Sequence, residues 1–412
     1  MKLGINGLGR IGKLTLWHHV SRKYFSEIVV NLGRDVGTSF TDLAEYIEKD
    51  STYGWLPVWL YGHNSKRVIE NINDQEKTMV INGVKVKFLM QNRNPKDIEW
   101  QKEGVKLVVD CTGKFRDPTK EADDPKGSAR GHLLAGAEKV LISAPFKIKN
   151  KDKTLPEDAI TLVYGINEEM YQPERHHIIS SASCTTTCLA YMVKPLLDYF
   201  GAERILSAAM VTVHATTASQ SILDRVPKEG EKDLRRARSV FNNIILTTTG
   251  AAEALGLVIP EMKKIGFMAE SVRVPLTTGS LIILTVNIQD ESIENHINRE
   301  LVNQIYKEAA ETKYKDFLIF SMEQNVSTDI IGYPRAAAII EGRETHTRTA
   351  LARVDLQKAC GVVTPEEIKG LSSSQIEIPI TQVVIYGWYD NELASYTHMM
   401  GDLTVHIAEK ML

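Results

Sequence analysis

Gly4-Ile5-Asn6-Gly7-Leu8-Gly9-Arg10-Ile11-Gly12 is the stretch from which the fold is read. An apolar strand ending at Asn6 runs into three glycines spaced G-x-G-x-x-G, and a helix-like run follows through Trp17 and Ser21 before the strand Ile28-Val29-Val30. Strand, glycine turn, helix and strand make a βαβ unit, which builds parallel sheets. In that setting the glycines permit a tight turn and let a pyrophosphate approach the backbone N–H groups at the positive end of the helix. The pattern points to a dinucleotide site at Gly7, Gly9, Arg10, Ile11 and Gly12.

An acidic residue about 20 positions on normally takes the ribose hydroxyls. Here the second strand ends in Val30-Asn31-Leu32-Gly33-Arg34-Asp35. Asn31 and Leu32 are expected at the ribose corner, and Arg34 lies close enough to meet a 2′-phosphate. A missing carboxylate removes the repulsion against NADP, and a guanidinium pairs with phosphate bidentately. The other reading makes Arg34 a solvated loop residue and gives the ribose to Asp35, so both NAD and NADP stay open.

Working outward, Leu107 to Asp110 and Val140 to Ser143 read as later strands of the same sheet, with a helix over Ala129 to Ala137 between them. Lys147 to Asp158 reads as an exposed loop. Beyond Cys184 the apolar alternations lengthen, as in Ile205 to Val213 and Ser280 to Ile288, which suits antiparallel strands with one covered face. Leu403, Ile407 and Met411 give a terminal helix an apolar stripe. The expected class is α/β: a Rossmann dinucleotide-binding domain over 1–183, an α+β catalytic domain with a mainly antiparallel sheet over 184–390, and a helix over 391–412 packing back on the first domain.

The 412 residues suit two or three domains, and 43% hydrophobic with 25% charged residues excludes a disordered or fibrous chain. A net charge of −3 offers no overall field for nucleic acid. Neither a signal peptide nor a run of about 18 apolar residues is apparent, so the expectation is a cytoplasmic protein without membrane contact. Cys111, Cys184, Cys188 and Cys360 form no disulfide framework and no C-x-x-C zinc motif, and no metal is expected.

Ser180-Ser181-Ala182-Ser183-Cys184-Thr185-Thr186-Thr187-Cys188 precedes a helix-like run from Leu189 to Tyr199. That places Cys184 at a helix N-terminus, where the dipole favours a thiolate. His214, closing the apolar strand before Ala215-Thr216-Thr217, is the candidate imidazole partner. Taken singly, a free cysteine is more often a small core residue, and that reading is kept for Cys188, Cys111 and Cys360. Cys188 is expected one helical turn deeper than Cys184.

With these blocks stand Asp50-Ser51-Thr52-Tyr53-Gly54, Thr248-Thr249-Gly250-Ala251-Ala252, Arg273-Val274-Pro275 and Trp388-Tyr389-Asp390-Asn391-Glu392. In this order across the chain, they resemble the phosphorylating glyceraldehyde-3-phosphate dehydrogenase family. The resemblance implies oxidation of glyceraldehyde 3-phosphate to 1,3-bisphosphoglycerate with reduction of NAD or NADP. It makes Cys184 the nucleophile and His214 the base. It gives Thr217 and Arg273 to the substrate's phosphate, and Ser183, Thr185, Thr249 and Gly250 to the attacking inorganic phosphate. Asn391 would hold the nicotinamide carboxamide, Thr112 and Phe115 would line the cleft, and Arg93 would meet the adenine side.

The family's loop across a subunit interface matches Asp224 to Asn243, which carries Arg235, Arg236 and Arg238, so the resemblance implies a homotetramer. Departures are Ser181 and Thr187 where the family usually has Asn, and Leu32 where it usually has Asp. Leu393-Ala394-Ser395-Tyr396 also replaces a more aromatic run. Extra length falls at Trp55 to Lys66, Lys147 to Asp158 and between Glu341 and Gln375, and is expected as surface loops or assembly contacts. Two other readings remain at this stage: an erythrose-4-phosphate dehydrogenase, which the same thiol and base could serve, and a catalytically silent dinucleotide sensor.

Overall fold

The computed structural model describes residues 1–150, 152–218, 220–358 and 374–412. Cys360 and part of the extra length between Glu341 and Gln375 lie outside the described residues. Two sheets organise the chain. The first contains β1 (Lys2–Asn6), β2 (Glu27–Asn31), β3 (Ile69–Asn73), β4 (Thr78–Ile81), β5 (Val84–Leu89), β6 (Val105–Asp110), β7 (Lys139–Ile142), β8 (Ala159–Thr161) and β9 (Ile178–Ser180). Their spatial order is β8-β9-β7-β6-β1-β2-β5-β4-β3. All pairs from β8 to β5 are parallel, and β4 and β3 close the edge as antiparallel strands.

The order reverses at β1, between β6 and β2, so the carboxyl ends of β1 and β6 frame the crevice where such sheets bind ligands. Helix α1 (Arg10–Arg22) leaves this crevice, and α2 (Phe40–Glu48) follows β2. α2 begins with a capping box between Ser39 and Asp42. The segment Trp55 to Lys66, expected as a surface loop or assembly contact, carries α3 (Leu56–Tyr61), and α4 (Ala129–Leu134) lies between β6 and β7. Leu56 is fully buried, and Trp59 stacks near Trp17, ring centres 5.8 Å apart. Apolar and aromatic residues in this insertion bring it partly into the core.

The second sheet contains β10 (Ile205–His214), β11 (Ile245–Thr247), β12 (Gly266–Arg273), β13 (Ser280–Gln289), β14 (Leu318–Ser321), β15 (Ala338–Glu341), β16 (His346–Asp355) and β17 (Gln375–Tyr389). Its order is β11-β12-β10-β13-β17-β15-β14, with β16 running along β17. Antiparallel pairs dominate, as expected, but β10–β12 and β14–β15 are parallel. The β10–β12 register sets His214 beside Arg273. This sheet packs on α5 (Cys184–Phe200): Leu189, Met192 and Leu196 share one core with Met210, Ile282, Leu284 and Ile385. α6 (Ala251–Val258) and α7 (Arg299–Glu311) add Leu255, Val302 and Ile305 to it.

The last helix, α8 (Tyr396–Lys410), returns to the first sheet. Its Met400, Leu403 and Ile407 join Leu3, Ile5, Leu14 and Trp17 in a second core. Asp402 pairs with Arg22 at 2.7 Å and with His398 at 3.2 Å. Burial alone would raise the Asp402 carboxyl, but His398 and Arg22 outweigh it and hold it at about 2.

Helix α1 also buries two histidines. His19 has no hydrogen-bond partner for either ring nitrogen and packs edge-on against Phe25. Burial, with a smaller contribution from Arg22, pushes it down to about 3. Below about pH 6.5 the unfolded chain takes a proton that folded His19 refuses, so stability falls with pH from there towards 3. Urea unfolding followed by tryptophan fluorescence should therefore show about 2 kcal/mol lost to His19 between pH 7 and pH 5. His19→Leu should lose visibly less over the same interval, and equal losses in the two proteins would contradict this account.

Candidate active site

The glycine loop meets the geometric demands of a pyrophosphate. Gly7 has φ +91°, and a Cβ on Gly12 would stand 1.9 Å from the Gly7 carbonyl oxygen, so only glycine permits the crossing. Gly9 precedes α1 without a capping side chain, and a Cβ there would point into open space. No acidic residue stands in the first turn of α1. The first-turn N–H groups and this open space fit an anionic bridge between two nucleosides.

Leu32 and Arg34 line a cavity of about 520 Å³ with Leu8, Gly9 and Tyr46. Asn31, expected at the same corner, is held elsewhere. It is 3% exposed, and its amide donates to Asn6 Oδ1 at 2.9 Å and to the Asn92 carbonyl at 3.0 Å. Arg93 Nε donates to the Gly33 carbonyl at 3.0 Å, which ties it to the turn after β2. Thr112 caps the end of β6 through Asp110 Oδ1, by its N–H at 3.0 Å and its hydroxyl at 2.7 Å. Phe115 is buried behind it. The Arg10 guanidinium bridges Asp50 and Glu392, the latter at 2.5 Å, and Lys13 reaches Asp50 at 2.7 Å. Burial would raise Asp50, but Lys13, the Thr52 N–H and Arg10 hold it at about 2.

Across the crevice, Ala182 turns the chain from β9 into α5 with φ +54°, a left-handed conformation unusual for alanine and found at strained functional turns. Ser183 then caps α5, its hydroxyl accepting from the Thr186 N–H at 3.1 Å, and Cys184 becomes the first helical residue. Cys184 Sγ lies 3.7 Å from His214 Nε2. Asn391 Nδ2 sits 3.4 Å from His214 Nε2 and 3.9 Å from the sulfur. His214 Nδ1 lies 2.6 Å from the Ala215 carbonyl, and in the tautomer with the proton on Nδ1 the ring presents the Nε2 lone pair to Cys184 and to the Asn391 amide. Cys188 is fully buried one turn further on.

Of the remaining candidates, Arg273 contacts this group and the others are held by their own neighbours. Arg273, 8% exposed, touches His214 Nδ1 and donates to the Ala215 carbonyl at 2.6 Å, while its buried Nε has no partner. Thr185 shares a hydrogen bond with Tyr389 at 3.0 Å. Thr217 is on an exposed turn bonded to Gln220. Thr249 accepts the Ala251 N–H at 3.2 Å just before α6, and Gly250 is that helix's N-terminal flank.

Three residues with structural claims on the site were not singled out from sequence. Ser280 Oγ donates to Asn391 Oδ1 at 2.7 Å and accepts the Ala215 N–H at 2.9 Å. Thr278 backs the same amide oxygen at 3.3 Å. Tyr389 hydrogen-bonds both Thr185 and Thr212 beneath the cysteine. Only Tyr389 had a signal in sequence, as part of Trp388 to Glu392.

Burial acts against the resting thiolate expected at Cys184. Burial pushes Cys184 up, and this outweighs the opposing pull of Thr185, Asn391 and Arg273. Burial and then Arg273 push His214 down to about 4. Desolvation disfavours both charges and so favours a thiol beside a neutral imidazole, although Cys184 itself keeps part of its surface exposed. The helix dipole anticipated from sequence acts, but burial is the larger effect.

A free thiol beside an imidazole acceptor, facing a Rossmann crevice, defines a dinucleotide-dependent dehydrogenase that works through a covalent cysteine intermediate. Residues 1–118 match the model of the glyceraldehyde 3-phosphate dehydrogenase NAD-binding domain, and residues 183–360 match that of the C-terminal domain. Glyceraldehyde-3-phosphate dehydrogenase of Streptomyces coelicolor is 36% identical over 420 aligned positions, covering 100% of this chain and 99% of that protein. The Geobacillus stearothermophilus enzyme is 36% identical with the same coverage, and glyceraldehyde-3-phosphate dehydrogenase 2 of Bacillus subtilis is 35% identical, covering 98% of its length. The chain belongs to the glyceraldehyde-3-phosphate dehydrogenase family and is an NAD(P)-dependent oxidoreductase of the phosphorylating type.

The alkylation rate of Cys184 by iodoacetamide, followed against pH in the ligand-free protein, should have its midpoint above the ordinary thiol value of about 8.5. Arg273→Leu should move that midpoint further up, because it removes a cation that favours the thiolate. A midpoint near neutrality in the parent protein would contradict the neutral pair.

Proposed function

We infer that the protein oxidises glyceraldehyde 3-phosphate to 1,3-bisphosphoglycerate, with Cys184 as nucleophile and His214 as base. The convergence of Cys184 Sγ, His214 Nε2 and the Asn391 amide within 3.9 Å carries this reading. Cys184 Sγ bonds to the aldehyde carbon while its proton passes to His214 Nε2, and the carbonyl oxygen takes up a proton to give a thiohemiacetal. His214, again neutral, removes the hydroxyl proton as the carbon-bound hydrogen departs with its electron pair as hydride, leaving a thioester on Cys184. The dinucleotide, when bound, would supply the acceptor for that hydride. An inorganic phosphate oxygen then attacks the thioester carbon, the C–S bond breaks, and the acyl phosphate leaves with the thiol restored.

In this reading Arg273 and Thr217 hold the substrate's phosphate, and the unpartnered Nε of Arg273 is a donor suited to it. Ser183, Thr185, Thr249 and Gly250 receive the attacking phosphate. Asn391, fixed by Ser280 and Thr278, orients the carboxamide of the nicotinamide. Gly7, Gly9, Arg10, Ile11 and Gly12 serve the pyrophosphate, and Arg93 and Thr112 border the adenosine. Leu32 leaves the ribose corner without a carboxylate and Arg34 lines the same cavity, which supports use of NADP beside NAD. Neither erythrose 4-phosphate oxidation nor a silent sensor is favoured by the family relationship.

The assembly we propose is a homotetramer. Ile222, Leu223, Val226, Phe241 and Ile244 are each more than half exposed, an apolar surface that another copy would cover. A cytoplasmic setting suits a mechanism that needs a reduced thiol, and Cys111, Cys184 and Cys188 are all free. Among the described residues no helix is long and apolar enough to cross a membrane.

Steady-state reduction of NAD and of NADP with glyceraldehyde 3-phosphate should require inorganic phosphate. Cys184→Ser should lower turnover by about 10³-fold or more while dinucleotide binding, read by fluorescence titration, persists. Turnover without phosphate dependence, or near-parental turnover in Cys184→Ser, would overturn the reading.

A further inference from the structure

A second concave site lies beside the crevice. It measures about 450 Å³ and is walled by the segments after β6 and β7 together with Arg93 and Asn94. Arg93, expected on the adenine side of the cleft, and Phe115, expected to line that cleft, are shared with it, but none of the glycine-loop residues, the ribose-corner residues or the phosphate candidates lines it. Its lining carries seven cationic residues and a single carboxylate, in a chain whose net charge is −3.

The charge balance inside this cavity is one-sided. Asp117 is buried and turned to its own loop, accepting from Thr119 N–H at 3.1 Å, Thr119 Oγ1 at 2.7 Å and Lys149 N–H at 3.2 Å. Lys120 is paired with Asp124 at 2.8 Å. Arg93, Lys114, Arg116, Lys126, Lys147 and Lys149 have no ion pair among the described residues. Like charges held around one concavity repel each other, so their clustering there points to an anion that offsets the repulsion.

The walls are built rather than loose. Lys147 N–H donates to the Arg116 carbonyl at 2.9 Å, and with the Lys149–Asp117 bond this joins the two segments. Asn94 donates to the Asp124 and Pro125 carbonyls at 3.3 Å, and Lys96 Nζ to the Asp123 carbonyl at 2.9 Å. Gly127, at φ +81°, lies so close to Phe115 that a Cβ would come within 2.5 Å of the ring. These bonds fix the backbone that carries the cationic residues.

We propose that this cavity, which adjoins the adenosine side of the dinucleotide cleft and is separate from the catalytic phosphate positions, binds a small polyanion bearing two or more phosphate groups alongside the bound dinucleotide. A half-open concavity of this volume suits a small molecule rather than an extended polymer. Several cations around one space favour linked phosphates over a single one, since each added charge meets its own partner.

Calorimetric titration of the NAD-saturated protein with inorganic tripolyphosphate tests the site. Tripolyphosphate should bind at least about tenfold more tightly than inorganic phosphate and weaken as salt is added. Lys147→Glu/Lys149→Glu should weaken it about tenfold or more, whereas reversal of two exposed lysines elsewhere, Lys263→Glu/Lys264→Glu, should leave it unchanged. In the unmodified protein, bound tripolyphosphate should also shield Lys147 and Lys149 from acetic anhydride, read by peptide mass spectrometry. Absence of binding at about 10 mM, equal weakening by both double variants, or loss of binding on saturation with NAD would overturn the proposal. Binding of single-stranded RNA in place of tripolyphosphate would overturn it as well.

Discussion

The carboxylate of Asp390 holds the two halves of the active site together. It is 1% exposed and accepts from Tyr53 Oη at 2.6 Å, Thr278 Oγ1 at 2.8 Å, Gly332 N–H at 2.9 Å, Glu392 N–H at 3.0 Å and Ala394 N–H at 3.3 Å. Tyr53 comes from the dinucleotide-binding half and Thr278 from the sheet that carries His214. A buried carboxylate can only accept, and here its acceptor capacity is met by donors from both sides. Either neighbour of Asp390 then falls into place. Asn391 points back to Ser280, His214 and Cys184, and Glu392 reaches Arg10 at the mouth of the glycine loop. One buried acceptor thus sets the distance between the nucleophile and the crevice it must serve.

Neutrality of the Cys184–His214 pair has a chemical use. A buried thiolate and imidazolium would be stabilised by each other, but each would also pay a desolvation penalty, and Arg273 already supplies positive charge to the pocket. Holding the imidazole neutral keeps Nε2 ready as an acceptor for both proton transfers that the oxidation needs. In the proposed mechanism the proton leaves sulfur as the C–S bond forms, so the nucleophile would be generated where a carbonyl is present.

Much of this arrangement was readable from the chain because it is local. The glycine loop, the βαβ unit and the cap at Ser183 each depend on residues within one turn or strand of each other. What sequence did not convey is tertiary. Asn31 was expected to face the ribose, yet its amide is drawn to Asn6 and Asn92 by a β1–β2 register that residue spacing cannot express. Ser280 is one hydroxyl among many until β13 sets it beneath Asn391. The protonation of Cys184 depended on how much protein would close over it, and a helix-end argument contains no such quantity. Trp59 could be recognised as apolar, but not as the ring that would pack near Trp17.

The most direct test of a nucleophilic Cys184 is peptide mass spectrometry on enzyme mixed with glyceraldehyde 3-phosphate and dinucleotide in the absence of inorganic phosphate, quenched in acid after a single turnover. The geometry predicts an acyl adduct on the peptide containing Cys184, formed in step with one equivalent of reduced dinucleotide per site and discharged when phosphate is added. Reduced dinucleotide without that adduct, or an adduct carried by Cys188 or Cys111 instead, would contradict it.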